Sequence, residues 1–339
     1  MTTAPSARPI ASPEELQAVM GTAYAPSPQQ WEAISAPLEP GVVIAGAGSG
    51  KTTLMAARVV YLVVTGQVRP EEILGLTFTT KAAAELRQRI REALTAAGVL
   101  LGPRAGGPSS EADLEAEVLE PSVLTYNAYA AQLLTDHGLR IGHEPDTRVI
   151  TDAARYQLGA RVVDRHTGEI RQLSDHPATV IQNLLALDSA MSEHLVGPDQ
   201  VRRLDADERV GFVRELMVER AGKDRVTYRQ AMERAISAID RRAELLDLVL
   251  GYRRLKRDLG LMDFSDQIEL AARLAVEHAD VGAAERSRFR VVLLDEYQDT
   301  SVAQAILLSR LFSGPTEATG RGHAVTAVGD PNQAIYGWR

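Results

Sequence analysis

Val42-Val43-Ile44-Ala45-Gly46-Ala47-Gly48-Ser49-Gly50-Lys51-Thr52 reads as a strand, a glycine-rich turn and the start of a helix. Val42–Ala45 is short, apolar and mostly β-branched, the pattern of a buried parallel strand. The small residues after it let successive backbone N–H groups turn toward one point. The helix expected from Thr52 to about Val64 adds the positive end of its dipole there. Between strand and helix, such a turn is a cradle for phosphate oxygens. Ala47, Gly48, Ser49 and Gly50 are then the backbone donors, with Thr53 just beyond them. Lys51 neutralises the β and γ phosphates, and the Thr52 hydroxyl coordinates magnesium. Ala45 stands where the strictest form of the pattern has glycine. The competing reading is a chance glycine-rich turn with an incidental Gly-Lys-Thr.

A second stretch weighs against chance. Val291-Val292-Leu293-Leu294-Asp295-Glu296 is a buried-strand pattern ending in two acids. Charge at the end of such a strand needs a reason, because burying it is costly. A metal ion supplies one: Asp295 would hold Mg2+, and Glu296 would orient and deprotonate an attacking water. Alone, the pair could equally be two surface acids; beside the phosphate cradle, it reads as the other half of an ATP and Mg2+ site.

Around these stretches the chain alternates strand and helix. Strand candidates are Ile73–Phe78, Val123–Tyr126, Arg290–Leu294 and Ala324–Val328, with a helix from Lys81 to about Leu94. That alternation predicts a parallel α/β sheet. Two helix starts carry capping-box grammar, Ser12-Pro13-Glu14-Glu15 and Ser27-Pro28-Gln29-Gln30. Leu101–Ser110, rich in Gly, Pro and Ser, reads as a loop. Between about Thr151 and Leu259 apolar residues recur at helical spacing, so an all-helical block interrupts the α/β pattern. The expected organisation is a loose start over 1–13, an α/β domain over 14–150, an inserted helical subdomain over 151–258 and a return to the α/β domain over 259–339. The basic run Arg253-Arg254-Leu255-Lys256-Arg257 reads as a solvated helix face, with duplex phosphate contact as the alternative.

Composition narrows the class. With 45 acidic and 37 basic residues the net charge is -8, so nucleic acid must be met by local surfaces and not by a global field. The absence of cysteine removes disulfides, thiolate metal sites and thiol nucleophiles. No run approaches the roughly 20 apolar residues of a membrane span, and Met1–Ile10 lacks the order of a signal peptide. The expectation is a soluble, cytoplasmic protein with no membrane partner.

Farther motifs carry a family resemblance. Asp295-Glu296-Tyr297-Gln298-Asp299-Thr300 and Gly329-Asp330-Pro331-Asn332-Gln333-Ala334-Ile335-Tyr336-Gly337-Trp338-Arg339 resemble motifs II and III of superfamily 1 DNA helicases of the UvrD, PcrA and Rep type. Ser27–Ile34 resembles their Q motif, the phosphate loop their motif I, Thr77–Glu85 motif Ia, and Val123–Ala130 motif Ib. Met262-Asp263-Phe264-Ser265-Asp266 resembles the short Asp-Phe element before motif II. Gly75–Thr79 and Glu144–Arg148 are similar to the AdnB-type motor subunits of actinobacterial helicase-nucleases.

The resemblance implies a RecA-like P-loop NTPase fold and assigns roles. Gln30 matches the residue that reads adenine, beside its bland reading as the capping-box residue. Gln333 and Arg339 match residues that sense the γ-phosphate. Thr53 departs from the family, where many members have an arginine that stacks on the base. For single-stranded DNA, Phe78, Tyr336 and Trp338 match stacking residues, and Phe264 lines the same groove. Thr79, Thr125 and Asn127 match backbone contacts; Asn127 replaces a frequent histidine. Core packing is the usual fate of any one aromatic, so these three stacking assignments rest on motif position.

Such helicases continue into a second RecA-like domain that supplies arginines to the ATP site. The expectation is that this chain alone binds nucleotide, hydrolyses it feebly and does not unwind DNA. Implied partners are single-stranded DNA, DNA junctions and a partner helicase or nuclease subunit. Three functions stay open: the ATPase half of a 3′-to-5′ helicase or translocase in repair or recombination, the motor of a helicase-nuclease that processes double-strand breaks, and a non-enzymatic module with a silent P-loop that binds single-stranded DNA or a partner.

Overall fold

A computed structural model describes residues 8–100, 120–314 and 322–334. The chain divides into two compact units. The first comprises the described residues up to Leu133, together with Ala272–Thr300 and those from Gln304 onward. The second runs from Leu134 to Ala271, and Ser301–Ala303 group with it.

The first unit is built on five parallel strands: β1 (Gly41–Ile44), β2 (Ile73–Thr77), β3 (Ser122–Thr125), β6 (Val291–Leu294) and β7 (Ala324–Gly329), in the order β1-β7-β6-β2-β3. Numbers β4 and β5 belong to the second unit. The centre is apolar, with every residue of β2 and β6 buried, as a parallel sheet covered on both faces requires. Helices α1 (Pro13–Met20), α2 (Pro28–Ser35), α3 (Lys51–Val64) and α4 (Thr80–Ala96) contribute to one core with Leu16, Ile34, Met55, Leu62, Leu86 and Val291. Helix α5 (Tyr126–His137) follows β3 directly.

Strand β1 corrects one expectation. It is an edge strand, and Val42 and Ile44 are 74% and 72% exposed. Only Val43 packs against the core. The β-branched run does specify a strand, but composition cannot tell a central strand from one with a single neighbour.

The second unit is helical, with α6 (Asp152–Asp164), α7 (Pro177–Glu193), α8 (Pro198–Ala221) and α9 (Val226–Asp258). Its core gathers Leu158, Leu184, Met191, Leu246, Val249 and Tyr252. Two-residue strands β4 (Arg148–Val149) and β5 (Leu261–Met262) pair in parallel at the ends of this helical stretch. After β5 the chain enters α10 (Phe264–Glu277), then α11 (Ala279–Arg288), and α12 (Val302–Phe312) follows β6.

The basic run at the end of α9 is not uniformly solvated. Arg254 and Arg257 are exposed, but Lys256 is buried and its ammonium lies 3.1 Å from Asp188, 3.2 Å from Asp263 and 2.7 Å from Asp266. Arg253 pairs with Asp188 and Glu269, and Arg155 lies 3.1 Å from Asp263. Burial raises the Asp266 carboxyl to about 6 against the opposing pull of Lys256. This network seats the start of α10. Asp263 accepts from the backbone N–H of Ser265 and Asp266, both at 3.0 Å, and Asp266 accepts from the Asp263 N–H at 2.8 Å. Phe264 then begins the helix, 52% exposed.

Candidate nucleotide site

The phosphate loop leaves β1 at Ala45, whose N–H bonds to the Gly329 carbonyl of β7 at 3.0 Å. Gly48 and Gly50 take φ of 73° and 82°, the left-handed region where a Cβ would be strained. Gly50 is the N-cap of α3, and no side chain caps that helix. Its first N–H groups therefore remain open toward an anion. Within the loop Ser49 Oγ donates to the Gly46 carbonyl at 2.7 Å.

Gln30 stands over this loop. It completes the capping box of α2, its N–H donating to Ser27 Oγ at 3.2 Å and its Oε1 accepting from the Ser27 N–H at 2.9 Å. Its Nε2 donates to the Ser49 carbonyl at 3.0 Å. The box uses one lone pair of Oε1 and the brace one hydrogen of Nε2, so each still has capacity for a nucleobase edge. Thr53 is exposed, and its hydroxyl accepts from Arg89 Nη1 of α4 at 3.1 Å. An arginine thus reaches this turn from a neighbouring helix and not from position 53.

Lys51 meets the acid pair that follows β6. Its ammonium lies 2.9 Å from Glu296 Oε2, just past β6. Glu296 holds φ 49°, which costs a non-glycine residue about 1–2 kcal/mol. Burial pushes its carboxyl up, but hydrogen bonds from Gln298 and Lys51 outweigh that and hold it below its ordinary value. Asp295 is buried, with its N–H on the Leu76 carbonyl at 2.8 Å and Oδ2 at 3.4 Å from Thr77 Oγ1. Its Oδ1 is buried with no partner, and its carboxyl is pushed up by burial and by the neighbouring Glu296 charge. An orphaned carboxylate oxygen, on a side chain close enough to Lys51 to feel its charge, fits a hard divalent cation such as Mg2+. Asp295 and Thr52 are the side chains that would hold it.

Two side chains that the motif reading passes over complete the cluster. Gln298 Nε2 donates to Glu296 Oε2 at 2.8 Å, while its Oε1 accepts from the Asp330 N–H at 3.0 Å. It bridges the ends of β6 and β7. A Cβ on Gly329 would fall 2.4 Å from Gln298 Oε1, so glycine is required for that approach. Asp330 Oδ2 would lie 3.8 Å from a Cβ on Gly46, and it accepts a hydrogen bond from Gln333 Nε2. That bond from Gln333, with one from the Asn332 backbone, holds the Asp330 carboxyl below its ordinary value. The available signal for Asp330 was its position, a carboxylate at the end of a buried strand like Asp295.

Phe78 and Thr79 follow the end of β2, and Asn127 follows the end of β3. Thr77 of β2 pairs in register with Thr125 of β3, so the segments that carry Phe78 and Thr79 and that carry Asn127 leave neighbouring strand ends. Phe78 meets Tyr126 edge-on at 6.0 Å. Thr79 and Thr125 each accept from a backbone N–H, Ala82 and Ala128, at 3.1 Å. Each hydroxyl proton stays available to a phosphate. Phe264 belongs to the second unit. Tyr336, Trp338 and Arg339 lie outside the described residues.

The unpartnered Asp295 oxygen carries a prediction. An aspartate whose pKa is raised by folding stabilises the fold when protonated, and that contribution is lost as pH rises through the folded value. At neutral pH Asp295 therefore costs stability. Asp295→Asn is expected to raise the melting temperature at neutral pH without Mg2+. The same substitution should remove any Mg2+-dependent stabilisation; a melting point lowered at neutral pH contradicts this.

The chain matches a known family over most of its length. The family described as UvrD/REP helicase N-terminal domain matches residues 26–339. The chain is 27% identical over 311 residues to the ATP-dependent DNA helicase PcrA of Leuconostoc citreum, which covers 92% of this chain and 33% of that protein. It is 28% identical over 321 residues to the ATP-dependent DNA helicase UvrD1 of Mycobacterium leprae, and 27% identical over 311 residues to DNA helicase II of Escherichia coli. These matches cover 92% of this chain and 34% of each relative. It thus spans about a third of the length of these relatives. Among the described residues no helix is long and apolar enough to cross a membrane.

Proposed function

The chain belongs to the UvrD/REP helicase N-terminal domain family, and from that premise we propose that it binds ATP with Mg2+ and couples the nucleotide to single-stranded DNA. It would serve as the ATP-binding part of a 3′-to-5′ DNA helicase or translocase in repair or recombination. The observation that carries the reading is the meeting of the Lys51 ammonium with Glu296 at 2.9 Å, beside the orphaned Asp295 oxygen.

In this reading the loop N–H groups and Lys51 hold the β and γ phosphates. Asp295 and Thr52 would hold Mg2+, which would supply charge neutralisation at the phosphates. Glu296, ionised at neutral pH, orients a water and accepts its proton, with Gln298 fixing the carboxylate. Gln333 and Arg339 sense the γ-phosphate, and Gln30 reads the adenine edge. Phe78, Phe264, Tyr336 and Trp338 stack on bases, while Thr79, Thr125 and Asn127 contact the strand backbone. Because β2 and β6 are neighbours in the sheet, Phe78 and Asp295 extend from adjacent strand ends. A strand bound along that edge would lie close to the acids, which favours coupling.

The test is ATP hydrolysis by the full-length protein with and without single-stranded DNA. Stimulation by DNA that disappears in Lys51→Ala is expected; hydrolysis indifferent to DNA would remove the coupling. For DNA itself, Phe78→Ala is expected to weaken oligo-dT binding by about tenfold, within the 1–3 kcal/mol of one stacked base, and to leave ATP affinity unchanged. Equal dT affinity would take Phe78 out of the DNA surface.

A further inference from the structure

Arg58 sits about two helical turns beyond Lys51 in α3 and is only 1% exposed. Among the described residues no carboxylate pairs with it. Its Nη1 lies 3.0 Å from the carbonyls of Ala33, Ile34 and Ala36, and its Nη2 lies 3.2 Å from that of Pro37. These groups are the last turn of α2 and the start of the connection to β1. A helix end leaves its final carbonyls without intrahelical partners and carries partial negative charge. The guanidinium satisfies those carbonyls and finds its counter-charge there. Burial pulls it down to about 10, so it stays protonated at neutral pH.

The clamp adds to a small packing surface under α2. The helix is eight residues long and buries one residue fully, Ile34, well below the length at which a helix is stable alone. Trp31 meets Tyr61 of α3 edge-on at 5.6 Å and adds a second, partly exposed contact. The other end of α2 carries Gln30, whose Nε2 sits 3.4 Å from where a Gly50 Cβ would be. The placement of α2 therefore decides where the Gln30 amide stands relative to the loop.

We propose that Arg58 is a positioning residue for nucleobase recognition: it clamps the end of α2 to the phosphate-loop helix and so sets the height of Gln30 above the loop. The proposal rests on the adenine reading of Gln30, and it assigns Arg58 no contact with the nucleotide. Lysine at 58 keeps the charge but reaches fewer of the four carbonyls, whereas methionine leaves them unpaired.

The experiment compares ATP, GTP and inorganic triphosphate binding to the wild-type chain, Arg58→Lys, Arg58→Met and Gln30→Ala, with a thermal melt of each. Arg58→Lys is expected to weaken ATP about tenfold, the lower end for losing a supporting residue, and to narrow the preference of ATP over GTP. Its triphosphate affinity should stay within about twofold, because the loop and Lys51 are untouched. Arg58→Met should show the same pattern more strongly, or fail to melt cooperatively, in which case Arg58→Lys decides. Loss of ATP and triphosphate affinity by the same factor makes Arg58 purely structural and overturns the proposal. So does an unchanged ATP-to-GTP ratio in Arg58→Lys when Gln30→Ala abolishes it. If Gln30→Ala itself leaves the ratio unchanged, the adenine reading fails first and takes the proposal with it.

Discussion

Glu296→Gln is expected to lower ATP turnover by about 10²–10⁴-fold, the usual contribution of a general base, while ATP binding tightens slightly. The opposite signs follow from the same contact. In the wild-type protein Glu296 occupies the Lys51 ammonium at 2.9 Å and places a negative charge where phosphates must sit. Glutamine keeps the shape and the Gln298 neighbour but removes that charge. The pair is partly exposed, so the gain is that of one such ion pair, about 0.2–1 kcal/mol, or up to about fivefold in Kd. Steady-state hydrolysis and nucleotide titration on the same preparation check both. Turnover unchanged by the substitution would remove Glu296 from the chemistry; weakened binding would mean that its charge helps hold the site together.

The second large effect lies in the helical unit. Lys256→Met is expected to destabilise that unit by about 3–5 kcal/mol, the cost of leaving buried carboxylates without their cation, a fall of about 10 °C or more in melting temperature. Lys256, Arg155 and Arg253 face Asp188, Asp263, Asp266 and Glu269, with Lys256 at the centre and its ammonium 4.6 Å from the Tyr252 ring. The defect has a pH signature. Burial pushes the Asp266 carboxyl up to about 6, so its stabilising contribution is present when protonated and lost as pH rises through that range. Without the opposing pull of Lys256 the Asp266 carboxyl is expected to rise further. The loss should then be greater at pH 8 than at pH 5. Thermal melts by circular dichroism at the two pH values test it; a defect equal at both would mean that lost packing, not charge, is responsible.

How much of this is legible without coordinates depends on the length scale of each feature. The phosphate loop is local: Gly46 to Thr52 carry its chemistry in consecutive residues, and flanking patterns place it between strand and helix. The Asp295-Glu296 pair is local too. Strand order is not, and that is why β1 read as a buried strand although it stands at the sheet edge with Val42 and Ile44 exposed. The tie from Gln298 to Asp330 crosses between strands adjacent only in the folded sheet. Lys256 is the strongest case. Within a basic run it reads as solvent-facing, and its three carboxylates come from α7 and the start of α10. Gln30 stands between these cases, since its capping box is written in four consecutive residues but its brace on Ser49 is not.

The central claim is that the glycine-rich loop and the strand-end acids enclose one triphosphate with its metal. Calorimetric titration of ATP into the chain, with and without Mg2+, tests it most directly alongside Lys51→Ala and Asp295→Asn. The account predicts binding that weakens when Mg2+ is withheld, becomes insensitive to Mg2+ in Asp295→Asn and is lost in Lys51→Ala. Binding of equal strength with and without Mg2+, undiminished by Lys51→Ala, would contradict it.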